Sequence, residues 1–471
     1  VKFIRNLSFF LFCLLALWAC SGQKTPTPGA ARPNILLVTM DTLRADHVGC
    51  YGSEVKTPAM DALAAQGVRF ERAHSQANIT NPSHASILTS LYPRNHGVLN
   101  NKSRIENMNA SLPALLAEGG YRTLAVVSAE HLQRAGLTEK FREWKIISTS
   151  TVEAASRTAD AAMKMLAQAE GAEPFFMWLH FFDPHTPYRP PDEYRNPYYH
   201  GKDAWDLQHS LGWMQCLEPK TREDWTHWLK GARDVEFVLA GYKGEVSFAD
   251  TGLGRVLEEL KARGLYDRTL ILLTADHGEN LNGFGNYFNH IGYYECVFHV
   301  PLIVKLPSDT PSAWRERLES NKGALTGGID VLPTLCDAAG LEIPGEARGS
   351  SLLRPLPPRR PFIAQVLPSR SRRLEKGEEM GYLAYRENWK VWNLLYDFSL
   401  CSFPAPPPKA AVNLKSGNDE NPIPQKNLPD EARVLLEGLD AWIQSEPHGS
   451  RAREIHDPEL EERLRSLGYL N

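Results

Sequence analysis

An α/β fold, with a mostly parallel central sheet flanked by helices and a smaller C-terminal α+β subdomain, is what the sequence predicts. Three short apolar runs carry the prediction: NILLVTM (34–40), FFMWLHFF (175–182) and TLILLTA (269–275). Each is continuous rather than alternating, as befits a strand buried on both faces of a parallel sheet. Helix-patterned segments separate them, and strands that alternate with helices imply parallel pairing. Each run is also followed directly by an aspartate, namely Asp41, Asp183 and Asp276. In such sheets ligands bind beyond the carboxyl ends of the strands, so three aspartates from distant parts of the chain converge on one candidate site.

Taken in order, the chain opens on VKFIRN, with Lys2 and Arg5, and then runs almost wholly apolar from Leu7 to Ala19. A charged start and an apolar core of this length fit a secretory signal peptide over 1–19, too short for an ordinary membrane span. LWAC (17–20) resembles a bacterial lipobox, in which Cys20 becomes the lipidated first mature residue and anchors the chain to a membrane. The polar, Pro- and Gly-rich residues 20–32 then read as a tether. An ordinary cleaved signal is the other reading, and both make the protein extracytoplasmic, in the periplasm or at the cell surface.

Further strands are expected at TLAVVS (123–128) and VPLIVKL (300–306), with helices at 57–67, 111–120, 152–170 and about 234–263. Residues 190–233 are rich in Trp, Tyr and charge without clear periodicity and read as an insertion near the site entrance. RPLPPRR (354–360) breaks the composition and separates a catalytic domain, 33–353, from a C-terminal subdomain, 354–471. There PFIAQVL, MGYLAYREN and WKVWNLLYDF alternate like antiparallel strands, and PDEARVLLEGLDAWIQ and DPELEERLRSLGYL read as helices.

The 471 residues are 42% hydrophobic with a net charge of −4, an ordinary globular balance that gives no support to nucleic-acid binding. Beyond the leader, Cys50, Cys216, Cys296, Cys336 and Cys401 are odd in number and widely spaced, which suggests neither a disulfide framework nor a CxxC metal site.

TNPSHASILTS (80–90) places Thr80 just ahead of a helix start, because Pro82 suits a first helical turn. Thr80 can be an N-cap, or a nucleophile held over a helix N-terminus that favours an anionic substrate. TADHGEN (274–280) puts Asp276 and His277 directly after a strand, a common pair of ligands for zinc or another divalent ion. Asp41, Thr80, Asp276 and His277 together would make a four-ligand site in which the metal lowers the hydroxyl's pKa.

MDTLRADHVGCYG (40–52), TNPSHASILTSLYPRNHGV (80–98), FFDPHTPY (181–188) and TADHGEN…HIGYYECVFHVPLIV (274–304) resemble, in order, the sulfatase family of the alkaline-phosphatase superfamily. IDVLPTLCDAAGL (329–341) and HDPELEERLRSLGYL (456–470) are similar to its later segments, so the resemblance covers nearly all of the mature chain. It implies that Asp41, Asp276 and His277 bind metal and that Thr80 stands where sulfatases carry formylglycine. It implies too that His185 lies near the leaving group and that Asn101 contacts substrate oxygens, with Arg44 and His131 also at family positions.

The sequence departs from the family where sulfate is handled. Thr80 cannot become formylglycine by the usual conversion, and His84, Ala129 and His290 stand where sulfatases usually have cationic residues. Thr42 follows Asp41 where many relatives have a second aspartate. An unmodified Thr nucleophile resembles superfamily phosphodiesterases and phosphatases, in which a second ion completes the site. Asp183, His290 and His185 could hold such an ion, and His290 reads equally as a substrate contact or a solvated loop histidine.

Three functions therefore compete. The first is a metal-dependent hydrolase that cleaves a sulfate or phosphate ester of a small molecule or glycan through Thr80. The second is a two-metal phosphodiesterase, phosphonate hydrolase or phospho-group transferase acting on surface glycans, and the third is a non-catalytic lipoprotein. One or two divalent ions are expected, with calcium, zinc and manganese left open.

Overall fold

A computed structural model describes residues 32–148, 154–169, 171, 173–201, 219–232, 234–283, 286–367, 381–395, 406–416, 419, 421–450 and 452–466. The signal peptide expected at 1–19, the lipid anchor expected at Cys20 and almost all of the expected tether fall outside the described residues, as does the middle of the aromatic insertion. Among the described residues no helix is long and apolar enough to cross a membrane.

The central sheet has seven strands: β1 (Asn34–Met40), β2 (Val68–Phe70), β3 (Arg122–Val127), β4 (Glu143–Ile146), β5 (Phe175–Phe181), β6 (Thr269–Ala275) and β7 (Leu302–Lys305). Their spatial order is β2-β7-β6-β1-β5-β3-β4. Pairing is parallel from β6 through β1, β5 and β3 to β4. β7 runs antiparallel to both β6 and β2, which makes the sheet mostly rather than wholly parallel. β1, β5 and β6 are buried along their whole length, as their continuous apolar runs require.

Helices α1 (Pro58–Gln66), α2 (Thr80–Thr89), α3 (Glu130–Arg134), α4 (Ala154–Gln168) and α5 (Val235–Ala262) accompany the sheet. α5 starts where Asp234 accepts a hydrogen bond from the Glu236 N–H, an N-cap that satisfies one orphan donor. The short strands β2 and β4 were not expected, since three or four residues are too few to show a period.

The C-terminal segment forms a five-stranded antiparallel sheet with β8 (Phe362–Val366), β9 (Gly381–Arg386), β10 (Trp389–Leu394), β11 (Lys409–Asn413) and β12 (Ile423–Pro424) in sequence order. Alternation along β9 explains how it packs. Leu383 and Tyr385 join a cluster with Tyr293, Val297 and Phe298, whereas Tyr382 and Ala384 join Ala432, Leu435 and Leu439 of α6 (Asp430–Ser445). The sheet is thus held between a helix and the segment that follows the site loop. Buried Lys390 bonds Asp419 at 2.6 Å and lies 3.4 Å from Glu295, whose other oxygen is 2.7 Å from His74 Nε2. From Pro33 onward the chain is one compact unit.

Candidate active site

β1 and β6 are neighbours in register, with Met40 opposite Ala275, so Asp41 and Asp276 emerge side by side at the carboxyl edge of the sheet. Asp276 Oδ1 accepts from the N–H groups of Thr42 (3.2 Å) and His277 (2.8 Å), which fixes the carboxyl group. Thr42 itself has φ of 54°, a strained conformation for a β-branched residue. It is held there by the bond to Asp276 and by Tyr242, whose hydroxyl donates to the Thr42 carbonyl at 2.8 Å.

His277 donates from Nδ1 to the Gly278 carbonyl at 2.9 Å, which leaves Nε2 as the ligand atom. That nitrogen is 3.4 Å from Asp276 Oδ2, 3.9 Å from Asp41 Oδ1 and 3.5 Å from Thr80 Oγ1. Ligand atoms of Asp41, Asp276 and His277 lie within 4.8 Å of one another, and all three residues are buried. Both oxygens of Asp41, and Oδ2 of Asp276, lack a hydrogen-bond partner among the described residues. Buried carboxylate oxygens without donors are costly, and a divalent cation would satisfy them. Burial drives Asp41 well above the ordinary carboxylate range, and the charges of Asp276 and Glu279 add to it. Burial also raises Asp276 and depresses His277, so charge is disfavoured here until a cation compensates it.

Thr80 is the first residue of α2 rather than its cap: Ile79, with extended backbone, holds the cap position and makes no side-chain bond. The orphan N–H of Asn81 is satisfied from outside the helix by Asn101 Oδ1 at 2.8 Å. Asn81 Nδ2 reaches the carbonyls of Asn101 (3.0 Å) and His131 (3.3 Å), bringing both predicted residues beside the start of α2. Asn101 Nδ2 has no partner among the described residues, so it remains a donor.

His185 and His290 also reach the site: the His290 ring lies 4.6 Å from that of His277 and 5.8 Å from that of His185. His185 bonds the Thr186 carbonyl through Nδ1 at 2.7 Å, and burial pushes the ring down to about 3, with the neighbouring His290 adding to it.

Three expected roles meet different partners. Asp183 does not join the metal group among the described residues; its carboxyl faces that of Glu245 instead. The second ion site expected from Asp183, His290 and His185 is accordingly not assembled among the described residues. His84 uses Nδ1 on the Thr80 carbonyl (2.9 Å) and Nε2 on Thr39 Oγ1 (3.2 Å), so it braces α2 from beneath with neither nitrogen left for a substrate. Arg44 is engaged by both oxygens of Asp46 and by the Glu279 carbonyl, which holds the loop after β6.

The sequence reading missed Glu279 and His180. Glu279 is fully buried, accepts from the Tyr188 hydroxyl at 3.2 Å through Oε2, and presents an unpartnered Oε1 3.7 Å from His290 Nδ1. Burial pushes it up to about 8. Its signal was its place two residues after His277 in a strand-end loop. His180 Nε2 lies 3.8 Å from Asp41 Oδ2, and its signal was an imidazole inside an otherwise apolar strand.

The sulfatase family model matches residues 33–341, more than half of the chain. The chain belongs to the sulfatase family. It is therefore a sulfatase-like ester hydrolase within the alkaline-phosphatase superfamily, and the matched region includes the central sheet with Asp41 and Asp276 at its strand ends. It is similar to an N-acetylglucosamine-6-O-sulfatase of Bacteroides thetaiotaomicron, 26% identical over 430 residues, covering 74% of this chain and 75% of that protein. Among solved structures it is similar to one in complex with its substrate D-glucosamine-2-N,6-O-disulfate (TM-score 0.66, 20% identity, 88% of this chain and 99% of that one). It is also similar to a phosphonate monoester hydrolase from Silicibacter pomeroyi (TM-score 0.64, 20% identity, 90% and 100%). The two structural likenesses establish the shared fold.

Proposed function

We propose that this sulfatase-family protein hydrolyses a singly charged ester through Thr80 as an unmodified nucleophile. The class comprises sulfate monoesters first, and phosphodiesters or phosphonate monoesters second. The observation that carries this reading is Thr80 Oγ1 at the head of α2, 3.5 Å from His277 Nε2, beside the undonated oxygens of Asp41 and Asp276. A divalent ion held by Asp41, Asp276 and His277 would supply the Lewis acidity that makes a threonine hydroxyl nucleophilic near neutral pH.

Thr80 Oγ loses its proton to solvent water and attacks sulfur or phosphorus in line, and the ester bond to the leaving oxygen breaks as the Thr80 ester forms. The leaving oxygen takes a proton from His185 or His131. Asn101 Nδ2 and the N-terminus of α2 stabilise the non-bridging oxygens as charge builds on them. Water then cleaves the Thr80 ester, releasing sulfate or the phosphorus acid and restoring the hydroxyl. His185 starts neutral with its proton on Nδ1, and the charge of a bound ester beside it raises its basicity so that Nε2 takes up a proton from solvent, which it then passes to the leaving oxygen.

Asp41, Asp276 and Glu279 oppose every added negative charge, so a monoanionic ester suits the pocket better than a phosphate-monoester dianion. The glucosamine sulfates named for relatives make a sulfated sugar the first natural substrate to try. The test compares 4-nitrophenyl sulfate, bis(4-nitrophenyl) phosphate, a phenylphosphonate monoester and 4-nitrophenyl phosphate in wild type and Thr80→Ala. Activity on at least one of the first three, lost by about a thousandfold or more in Thr80→Ala, is the expected outcome. Full activity in Thr80→Ala would overturn the nucleophile, and a preference for the phosphate monoester would overturn the charge argument.

A further inference from the structure

The loop that follows β5 carries Asp183, His185, Tyr188 and Arg189 before a short helix begins at Asp192. A single residue of α5 holds it at two points on either side of His185. Glu245 accepts from the Arg189 N–H at 2.6 Å through Oε1, and its carboxyl faces that of Asp183. Asp183 Oδ2 and Glu245 Oε2 have no hydrogen-bond partner among the described residues, and a proton held between the two carboxyls would satisfy both. Both residues are buried. The other groups facing the pair are the Ala155 backbone amide at the start of α4, which donates to Asp183, and the Arg195 guanidinium, whose charge acts on Glu245.

The helix beneath is shaped for this loop. A Cβ added at Gly241 would lie 3.1 Å from Tyr188 Cβ, and one at Gly244 would lie 2.7 Å from Pro190 Cγ. The loop backbone therefore seats closely on α5, and Glu245 adds directional bonds at two points along it. Between the two anchors His185 stacks on Phe182 at 4.5 Å, and the Tyr188 hydroxyl reaches Glu279 at 3.2 Å.

We propose that Glu245 is a positioning residue: by clasping Asp183 and Arg189 together it fixes where His185 meets the leaving group. The proposal rests on the assignment of His185 to the leaving group made above. Aryl esters of the class turned over fastest, with 4-nitrophenyl, phenyl and 4-methoxyphenyl leaving groups, provide the readout. A displaced proton donor slows poor leaving groups selectively, whereas a loss of folded protein slows all of them equally.

Glu245→Met fills the volume and removes both bonds. It is expected to lower kcat about tenfold or more for the methoxyphenyl ester, with little change for the nitrophenyl ester or in KM, in the same direction as His185→Ala. Glu245→Gln can still accept from Arg189 and donate to Asp183, so it should stay within about threefold of wild type throughout. If Glu245→Met does not fold, Asp183→Ala removes the clasp from the loop side and takes its place. A steeper leaving-group dependence in His185→Ala but none in the clasp variants would overturn the proposal, as would failure of Glu245→Gln to rescue. An unchanged dependence in His185→Ala itself would overturn the His185 assignment and the clasp with it.

Discussion

Thr80 shows how a helix start can present a side chain. It stands inside the first turn of α2, where Ile79 holds the cap position and contributes no side-chain bond. Asn101, 20 positions further on, satisfies the Asn81 amide, and the Thr80 hydroxyl lies 3.5 Å from His277 Nε2. Glu279 is the residue whose role is easiest to isolate. It adds a third carboxylate to the buried pair of Asp41 and Asp276 without being forced to touch the ion. Glu279→Gln keeps the Tyr188 contact and removes the negative charge that Glu279 carries above about pH 8, so above that pH affinity for a divalent ion should fall by about tenfold, roughly 1.4 kcal/mol. Calorimetric titration of metal into the metal-stripped variant measures it, and unchanged affinity would show that Glu279 does not contribute to the field at the ion.

At the scale of elements, the site is the meeting of two strand ends and one helix start. β1 and β6 bring Asp41 and Asp276 side by side through ladder register, and the loop after β6 must then turn sharply past the segment carrying Cys296. Gly278 makes that passage: its N–H donates to the Val297 carbonyl at 2.7 Å, and an added Cβ would lie 2.1 Å from the Cys296 carbonyl oxygen. Backbone cannot yield as a side-chain tip can. Gly278→Ala should therefore displace His277, costing about 2 kcal/mol or more of stability and most of the metal affinity. A wild-type melting curve and metal titration for Gly278→Ala would remove the steric argument. The expected strands at 34–40 and 269–275 match β1 and β6, because a long apolar run reports its own burial.

For the whole molecule, the buried imidazoles set the response to acid. His96 is bonded as a neutral ring, accepting from the Val98 N–H at Nδ1 (3.1 Å) with Nε2 3.1 Å from Ser86 Oγ, and burial lowers it to about 3. Its folded pKa lies below the unfolded one, so its stabilisation is complete above pH 6.5 and is lost as pH falls toward 3. Between pH 6.5 and 5 the loss from one such histidine is about 2 kcal/mol. Asp183, raised by burial to about 6, and Asp250, raised by burial to about 7, act with the opposite sign, gaining protons in the folded state. Wild type alone would show only the sum. His96→Asn, which can still accept from Val98, should lose about 2 kcal/mol less than wild type across that interval in urea unfolding. An identical loss would show that His96 is not kept neutral.

From the sequence alone came the sulfatase-like order of motifs, the principal strands and helices, and the metal group of Asp41, Asp276 and His277 at the strand ends. These follow from local pattern, since apolar run length, period and punctuation are carried by residues close together in the chain. The use of each polar side chain was decided by tertiary structure. Asp183 turns to Glu245 rather than to an ion, His84 spends both nitrogens beneath α2, Arg44 locks onto Asp46 and the Glu279 carbonyl, and Glu279 itself enters the site. Most of these outcomes depend on which partners the packed core brings within hydrogen-bonding distance from distant parts of the chain. A buried polar group must take the donor or acceptor that packing offers, and no local pattern names that partner in advance.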